Sequence, residues 1–418
     1  MAALGSVPRQ RAGGQSELRR FRNDFYDCLT GRADGLFDVL DAVCSPVAVD
    51  GIAHLSLSDT ARRGHGGLYA AVADGGIDAG LARDVLAAYR PGSWRPDFAV
   101  DTTTWPRNDA ECSAGRGLYH HPSRQTNGKP MVAGWCYQWL AGLSPGADSW
   151  TAPLDIHRMP VGADRNLVAV QQVEALLPRL AGITRTPLFV FDAGYNIAVL
   201  THELRGTNAQ VLVRVRNDRT FYARPKDFKQ CGWGGRPPVH GARFRCSKPE
   251  TWPQPDSTYE CHDRQYGDIT ITEWRRLHPS QSRYRDSPHR MKIIDGTVIR
   301  LTVAKLPGNR SGGPKVFWLW WSGPVGDIPE PDRIWRAYLR RFDIEHLFRF
   351  IKQTLGWTTP KIRTPGTSRP VDLAHRRRHD PTAPGPSPRR RPPPALATPT
   401  PTRKNDPRTR PRRFRPST

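Results

Sequence analysis

The sequence contains no apolar run near the ~18 residues that a membrane-spanning helix requires, which argues against an integral membrane protein. Its first residues, MAALGSVPRQRAGG, also lack the apolar segment of a secretion signal. We therefore expect a cytoplasmic chain with no membrane partner.

Cysteine is scarce, with seven residues scattered along the chain and no CxxC pair. An odd, scattered set in a cytoplasmic protein predicts free thiols. Cys231, Cys246 and Cys261 recur every fifteen residues, with His240 and His262 nearby, so structural zinc is an alternative. Unrelated thiols are the favoured interpretation, because structural zinc sites usually pair their cysteines closely.

Acidic residues are outnumbered, with 39 Asp and Glu against 63 Lys and Arg, and the net charge is +24. A field of this sign attracts polyanions, and nucleic acid is the expected partner. The excess is concentrated in residues 361–418, which hold sixteen Lys and Arg against three Asp. The rest of the chain still carries a net charge of +11.

Large apolar side chains are almost absent from residues 364–418. The last 58 residues, 361–418, contain fourteen prolines. Residues 364–418 therefore cannot bury a core and are predicted to be a disordered tail. The composition changes abruptly after Arg363. A shifted reading frame in GC-rich DNA would produce such an Arg/Pro-rich segment, and a frameshift is our hypothesis for its origin.

The rest of the sequence changes its periodicity from one region to the next. Residues 1–92 have apolar positions at helical spacing, which predicts a helical N-terminal domain with DNA binding as a candidate role. Residues 93–216 alternate strands and helices, a pattern typical of an α/β domain with a mixed sheet. Residues 217–325, rich in Gly, Pro, Arg and Trp, predict an inserted, mainly β subdomain. Helical periodicity returns in residues 326–363.

Two acidic residues follow apolar strands in the α/β region. Asp101 closes the run DFAVD, and Asp192 closes PLFVFD. An acid at the carboxyl end of a strand is fixed by the sheet but open to ligands. Each could instead be a turn residue or a helix cap, although two such acids in one domain favour a site.

The last helical region carries a third candidate acid. Tyr338, Arg341, Glu345 and Lys352 lie at offsets 0, 3, 7 and 14, so at about 100° per residue they share one helical stripe. An apolar stripe beside it would seat the helix on the sheet. A solvated charged face with i, i+4 pairs is the alternative.

These motifs resemble a known family. The spacing Tyr338-x2-Arg341-x3-Glu345-x6-Lys352 is similar to the Tyr-Arg-Glu-Lys signature of bacterial insertion-sequence transposases of the DDE class. The run DAGY, which begins at Asp192, resembles their second-acid motif, and Asp101 fits the first acid. The resemblance covers about residues 15–363. It implies an RNase H-like catalytic domain, with residues 217–325 as an insertion before the final helix.

The resemblance implies an active site of Asp101, Asp192 and Glu345 that holds two Mg²⁺ or Mn²⁺ ions, with Asp101 as the shared ligand. Hard cations of this kind prefer carboxylates, waters and phosphate. Arg341 and Lys352 would hold DNA phosphates, and Tyr338 would donate a hydrogen bond to one. A Trp of the inserted region would stack on a flipped base. The candidates are Trp318, Trp320 and Trp321, and filling a strand core is the alternative for them.

The resemblance also implies the partners. They are double-stranded DNA at the terminal inverted repeats, target DNA, and a second copy of the chain in a homodimer that brings two ends together. The expected location is therefore nucleoid-associated, in the bacterial cytoplasm. Two alternatives stay open: a nuclease that cuts without joining, and a decayed or domesticated copy that binds DNA without catalysis.

Overall fold

The structure, a computed structural model, describes residues 8–45, 51–120, 131–225, 238–280, 291–307 and 313–360, with side chains from residue 16 onward. The tail predicted at 364–418 lies outside these residues, as does Cys231. The described residues belong to one compact unit. The six cysteines among them are free thiols.

Helices account for most of the first ninety residues and return at three later places. Those in the described ranges are α1 (Pro8–Asp27), α2 (Ala33–Val43), α3 (Ile52–Leu55), α4 (His65–Asp74), α5 (Ala79–Ala88), α6 (Arg165–Leu176), α7 (Ile197–Glu203), α8 (Pro331–Arg340) and α9 (Asp343–Arg349). A π-helical turn continues α9 over Phe350–Thr354. None of these helices is long and apolar enough to cross a membrane.

Strands fill most of the middle of the chain. Those in the described ranges are β1 (Leu29–Gly31), β2 (Gly76–Ile77), β3 (Asp97–Pro106), β4 (Gly117–His120), β5 (Met131–Leu143), β6 (Thr151–Met159), β7 (Leu188–Phe191), β8 (Gln210–Val215), β9 (Thr220–Ala223), β10 (Arg243–Arg245), β11 (Ser257–Asp263), β12 (Gly267–Pro279), β13 (Gly296–Val303) and β14 (Lys315–Ser322).

Twelve of these strands form one mixed sheet. Its order is β10-β9-β12-β13-β14-β8-β7-β3-β5-β4, with β11 beside β12 and β6 beside β5. Strand β7 pairs in parallel with both β3 and β8, and the other pairings are antiparallel. This mixed α/β architecture fits the expected RNase H-like fold.

The strands of the region 217–325 extend this sheet. Strand β14 pairs with β8, which places Trp320 opposite Val213. Both side chains are fully buried in the same core cluster, so apolar packing continues across the junction. The described residues of this region therefore share the central sheet, and their status as an inserted subdomain stays a prediction.

Helices α1 to α5 precede the sheet and hold small cores of their own. One of these cores joins α2, α3 and α4 through Val39, Leu55 and Leu68. Helix α5 reaches the sheet at Arg83, whose Nε donates to the Asp155 carboxylate at 2.7 Å. A separate N-terminal domain ending at residue 92 stays a prediction.

The two faces of the sheet are covered by different helices. Val100 and Phe191 pack on the side of α6 and α7. Their neighbours Ala99 and Val190 point the opposite way, into the cores that contain α8 and α9. This follows from the alternation of side chains along a strand. The residues that come next, Asp101 and Asp192, therefore continue the α8–α9 side.

A buried ion pair holds α8 against the sheet. Arg333 is 2% exposed, and its Nε donates to Asp97 Oδ1 at 2.7 Å. Its Nη2 also donates to the carbonyl oxygen of Thr186 at 2.9 Å. The guanidinium thus ties the helix to β3 and to the chain entering β7, which fixes the position of the following residues, including Arg341.

Candidate active site

Asp101 and Asp192 lie side by side where the parallel pairing of β3 and β7 stops. The last paired residues are Val100 and Phe191, and each acid comes next. Asp192 follows the end of β7, as predicted. Asp101 does not end its strand, because β3 continues to Pro106 through its pairing with β5. Because β7 ends at Phe191 while β3 continues, the pairing of these two strands stops just before Asp101.

The Asp101 carboxylate has a partner at each oxygen. Its Oδ1 accepts the backbone N–H of Thr102 at 2.7 Å. Its Oδ2 accepts from Nη1 of Arg341 at 3.0 Å. The side chain is therefore held in one orientation by a strand amide and by a cation from the helical region.

The loop after β7 fixes Asp192. Its Oδ1 accepts the backbone N–H of Gly194 at 2.8 Å. A Cβ at Gly194 would lie 3.0 Å from that same Oδ1 and 2.9 Å from Nη1 of Arg165, so a larger residue here would have to displace the Arg165 guanidinium. Tyr195 is buried beneath the loop, and its hydroxyl hydrogen-bonds with the Gln138 side-chain amide at 3.2 Å.

Arg341 lies between Glu345 and Asp101 and contacts both carboxylates. Nη2 of Arg341 lies 3.6 Å from Glu345 Oε1, while Nη1 contacts Asp101. Glu345 is the more exposed of the two acids, with 43% of its side chain accessible. One guanidinium thus spans carboxylates from β3 and α9.

The helical region around Glu345 is not one regular helix. Between α8 and α9 the backbone tightens, with i to i+3 hydrogen bonds from Ile344 N to Arg341 O and from Glu345 N to Phe342 O. It then widens in the π-helical turn, where Leu355 N donates to Phe350 O. The predicted single stripe assumed 100° per residue throughout, so its angles do not hold across these two irregular turns.

Burial is the main cause that raises the pKa of the Asp101 carboxyl to about 6, and the neighbouring charges of Asp192 and Glu345 act in the same direction. The Arg341 guanidinium and the Thr102 N–H act in the opposite direction but do not offset the burial. Removal from water is therefore the main reason that the Asp101 carboxylate is harder to ionise here.

This shift predicts a pH dependence of stability in chelator. A folded-state pKa above the ordinary 3.8 means that the folded chain binds the proton more readily than the unfolded chain. The contribution of Asp101 to the free energy of unfolding should therefore fall as pH rises from about 4 to about 6, by up to ~3 kcal/mol. Urea unfolding of wild type and Asp101→Asn between these pH values measures it. A wild-type-minus-variant difference that stays constant with pH would contradict the assignment.

The donor set at this site suits a hard divalent cation. Carboxylate oxygens are the protein ligands that Mg²⁺ and Mn²⁺ prefer, and Asp101 and Asp192 offer them from adjacent strands. Within the described residues, no three His, Cys, Asp or Glu side chains are gathered closely enough to hold a metal. Arg341 instead lies between Asp101 and Glu345.

The other two signature residues are largely buried. Tyr338 is 6% exposed and packs against Phe317 with ring centroids 5.2 Å apart. Lys352 donates from Nζ to the carbonyl oxygen of Thr104 at 2.9 Å. Burial lowers the pKa of Lys352 to about 8. The Tyr338 ring is covered and the Lys352 ammonium is already bonded to a backbone carbonyl, and their DNA-binding roles stay predictions.

The three tryptophans proposed for base stacking are in the core. Trp318, Trp320 and Trp321 are 6%, 0% and 4% exposed. Trp320 stacks on Phe221 and donates from Nε1 to Thr201 Oγ1 at 2.9 Å. A base could stack on any of the three only if the strand moved, so the structure favours the core-filling interpretation of these residues, and their base-stacking role is untested.

Arg165 was not identified from the sequence. It is exposed at the start of α6 and places its guanidinium against the Gly194 loop. The Asn196 N–H donates to Asn166 Oδ1 at 2.7 Å, which holds the start of α6 against this loop. The sequence does mark the start of α6, because Asp164 is a typical helix cap and its side chain accepts the Asn166 N–H. The proximity of Arg165 to Asp192, by contrast, depends on the fold.

Comparison with known proteins identifies a family for this chain. The family model described as DDE superfamily endonuclease matches residues 24–280, a span that includes Asp101 and Asp192 and ends before Glu345. No curated protein matches the chain. The matched span exceeds half of the 418 residues. The chain therefore belongs to the DDE superfamily of endonucleases.

Proposed function

We propose that this protein is an insertion-sequence transposase that cuts DNA at the ends of its element and joins them to target DNA. Membership of the endonuclease family already implies a DNA substrate and divalent metal ions. The observation that carries the finer proposal is the Arg341 contact to both Asp101 and Glu345. It links the first acid to the Tyr-Arg-Glu-Lys signature, which lies beyond the matched span.

Asp101, Asp192 and Glu345 would hold two Mg²⁺ or Mn²⁺ ions, with Asp101 as the shared ligand. When bound, such ions activate the attacking oxygen and stabilise the leaving oxygen of a phosphodiester. The chain's own backbone amides orient two of these carboxylates. The Thr102 N–H orients the Asp101 carboxylate, and the Gly194 N–H orients that of Asp192.

The DNA contacts of the proposal come from the helical region. Arg341 is the best placed, because its guanidinium already lies among the acids. Lys352 and Tyr338 would contact DNA after the helical region shifts to expose them. The proposed partners are the terminal inverted repeats, target DNA and a second copy of the chain that brings two element ends together.

A joining assay separates transposition from simple cutting. Purified full-length protein would be incubated with Mg²⁺, a linear fragment ending in the sequences that flank the gene, and a supercoiled target plasmid. We expect fragment covalently joined to plasmid. Cutting without joining would favour a nuclease. Salt-sensitive binding without either product would favour a copy that only binds DNA, and both results contradict the proposal.

A further inference from the structure

The Arg341 guanidinium is placed where it meets two of the three acids at once. It is 11% exposed, contacts Asp101 Oδ2 at 3.0 Å, and lies 3.6 Å from Glu345 Oε1. It sits at the junction of α8 and α9, where its backbone N–H is shared between the carbonyl oxygens of Ala337 and Tyr338. Arg341 therefore takes part in the tight turn through its backbone and contacts both acids through its side chain.

This placement gives Arg341 a role distinct from binding DNA. Clustered carboxylates repel one another, and a cation among them lowers that cost. Both oxygens of Asp101 already have partners, Thr102 at Oδ1 and Arg341 at Oδ2. A divalent ion at Asp101 would meet a positive charge already hydrogen-bonded to the same carboxylate.

We propose that Arg341 is the internal counter-cation of the metal-free site, and that a divalent ion must displace its guanidinium from Asp101 in order to bind. This inference rests on the proposed metal-binding triad. Arg341 then acts as a positioning residue that keeps the acids together without metal and makes metal binding weaker than the carboxylates alone would allow. Displacement also frees the guanidinium for another anion, such as a DNA phosphate.

Direct Mn²⁺ binding tests the proposal without DNA or catalysis. The full-length protein, Arg341→Met and Arg341→Lys would each be titrated with Mn²⁺, and free ion would be followed by electron paramagnetic resonance. Competition between two ligands for one site is a coupling, and couplings typically change affinity about fivefold or more. We expect Arg341→Met to bind Mn²⁺ at least about fivefold more tightly, and Arg341→Lys to stay near wild type because it keeps the charge.

Arg340→Met is the matched control. Arg340 is the preceding residue, and it pairs with Asp343 at 3.0 Å. Its replacement removes the same charge, so it should leave the Mn²⁺ Kd within about twofold if the effect is local. Thermal unfolding gives a second readout, in which Mn²⁺ should raise the Tm of Arg341→Met more than that of wild type.

The outcomes separate this inference from the proposed function. Equal or weaker Mn²⁺ binding by Arg341→Met, with binding that Asp192→Asn abolishes, would overturn the counter-cation role and leave the triad standing. An equal gain in Arg340→Met would also overturn it, since the effect would then be general charge. Mn²⁺ binding that is insensitive to Asp192→Asn would remove the triad itself and the inference with it.

Discussion

Replacing Asp101 or Asp192 by Asn, or Glu345 by Gln, should lower metal-dependent DNA cleavage by at least ~10³-fold. Metal stabilisation of a phosphoryl transition state is worth several kcal/mol, and each ~1.4 kcal/mol is a factor of ten in rate. Each substitution keeps the size of the side chain and removes the charge that would hold the ion. DNA affinity should stay within about threefold, because phosphate contacts come from cations.

Cleavage would be measured under single-turnover conditions with Mg²⁺, and DNA affinity by fluorescence anisotropy in chelator. Asp343→Asn is the control for Glu345→Gln. Asp343 lies in the same helix but pairs with Arg340 at 3.0 Å, so its replacement should retain cleavage. Far-ultraviolet circular dichroism would establish that each variant is folded.

The result at Glu345 is the most informative of the three. Asp101 and Asp192 fall within the matched family span, whereas Glu345 does not. Its assignment depends on the signature spacing and on the Arg341 contact. Glu345→Gln that cuts as fast as wild type would remove the third acid from the site while leaving the family membership intact.

Replacing Arg333 by Met should lower the free energy of unfolding by about 3–5 kcal/mol, the usual cost of removing one partner of a buried ion pair. Asp97 would keep its charge in a buried position, and the Thr186 and Pro96 carbonyl oxygens would lose a donor. Burial raises the pKa of Asp97, against the influence of Arg333. Removing the arginine should therefore raise that pKa further, and the destabilisation should lessen as pH falls.

Arg336→Met is the control for this prediction. Arg336 lies one turn from Arg333 on α8 and pairs with Asp332 at 3.0 Å in an exposed i, i+4 arrangement, a type of contact worth roughly 0.5 kcal/mol or less. Urea unfolding of both variants at pH 7 gives the comparison. The double variant Arg333→Met with Asp97→Asn should recover part of the loss. Equal effects of the two single variants would mean that the buried pair does not hold α8.

Local patterns in the sequence were sufficient for many of the elements. The apolar run before Asp192 is β7, and α7 follows it, as the alternation predicted for residues 93–216 requires. The runs DITITEW and VFWLWWS are parts of β12 and β14. Such elements can be predicted because strand and helix periodicity depend on residues that are close in the sequence. The DAGY motif likewise singled out Asp192 as the candidate second acid from adjacent residues alone.

Contacts between distant residues are what the sequence left undetermined. Asp101 is interior to its strand because pairing with β5 continues past it, while β7 stops at Phe191. The tryptophans of β14 are buried because strand β8 and the surrounding aromatic residues cover them. From residue type alone, these tryptophans were equally compatible with a surface that stacks on DNA bases.

The sequence by itself determined the candidate acids, the apolar strand that precedes each of Asp101 and Asp192, and the basic charge that points to DNA. Only the tertiary structure decided that Arg341 bridges Asp101 and Glu345, a contact between positions 240 residues apart, and that Arg333 seats the helix beside them. The physical reason is that periodicity fixes which face of an element is apolar. Which charge lies opposite another depends on sheet order and register, and these arise only when the whole chain packs.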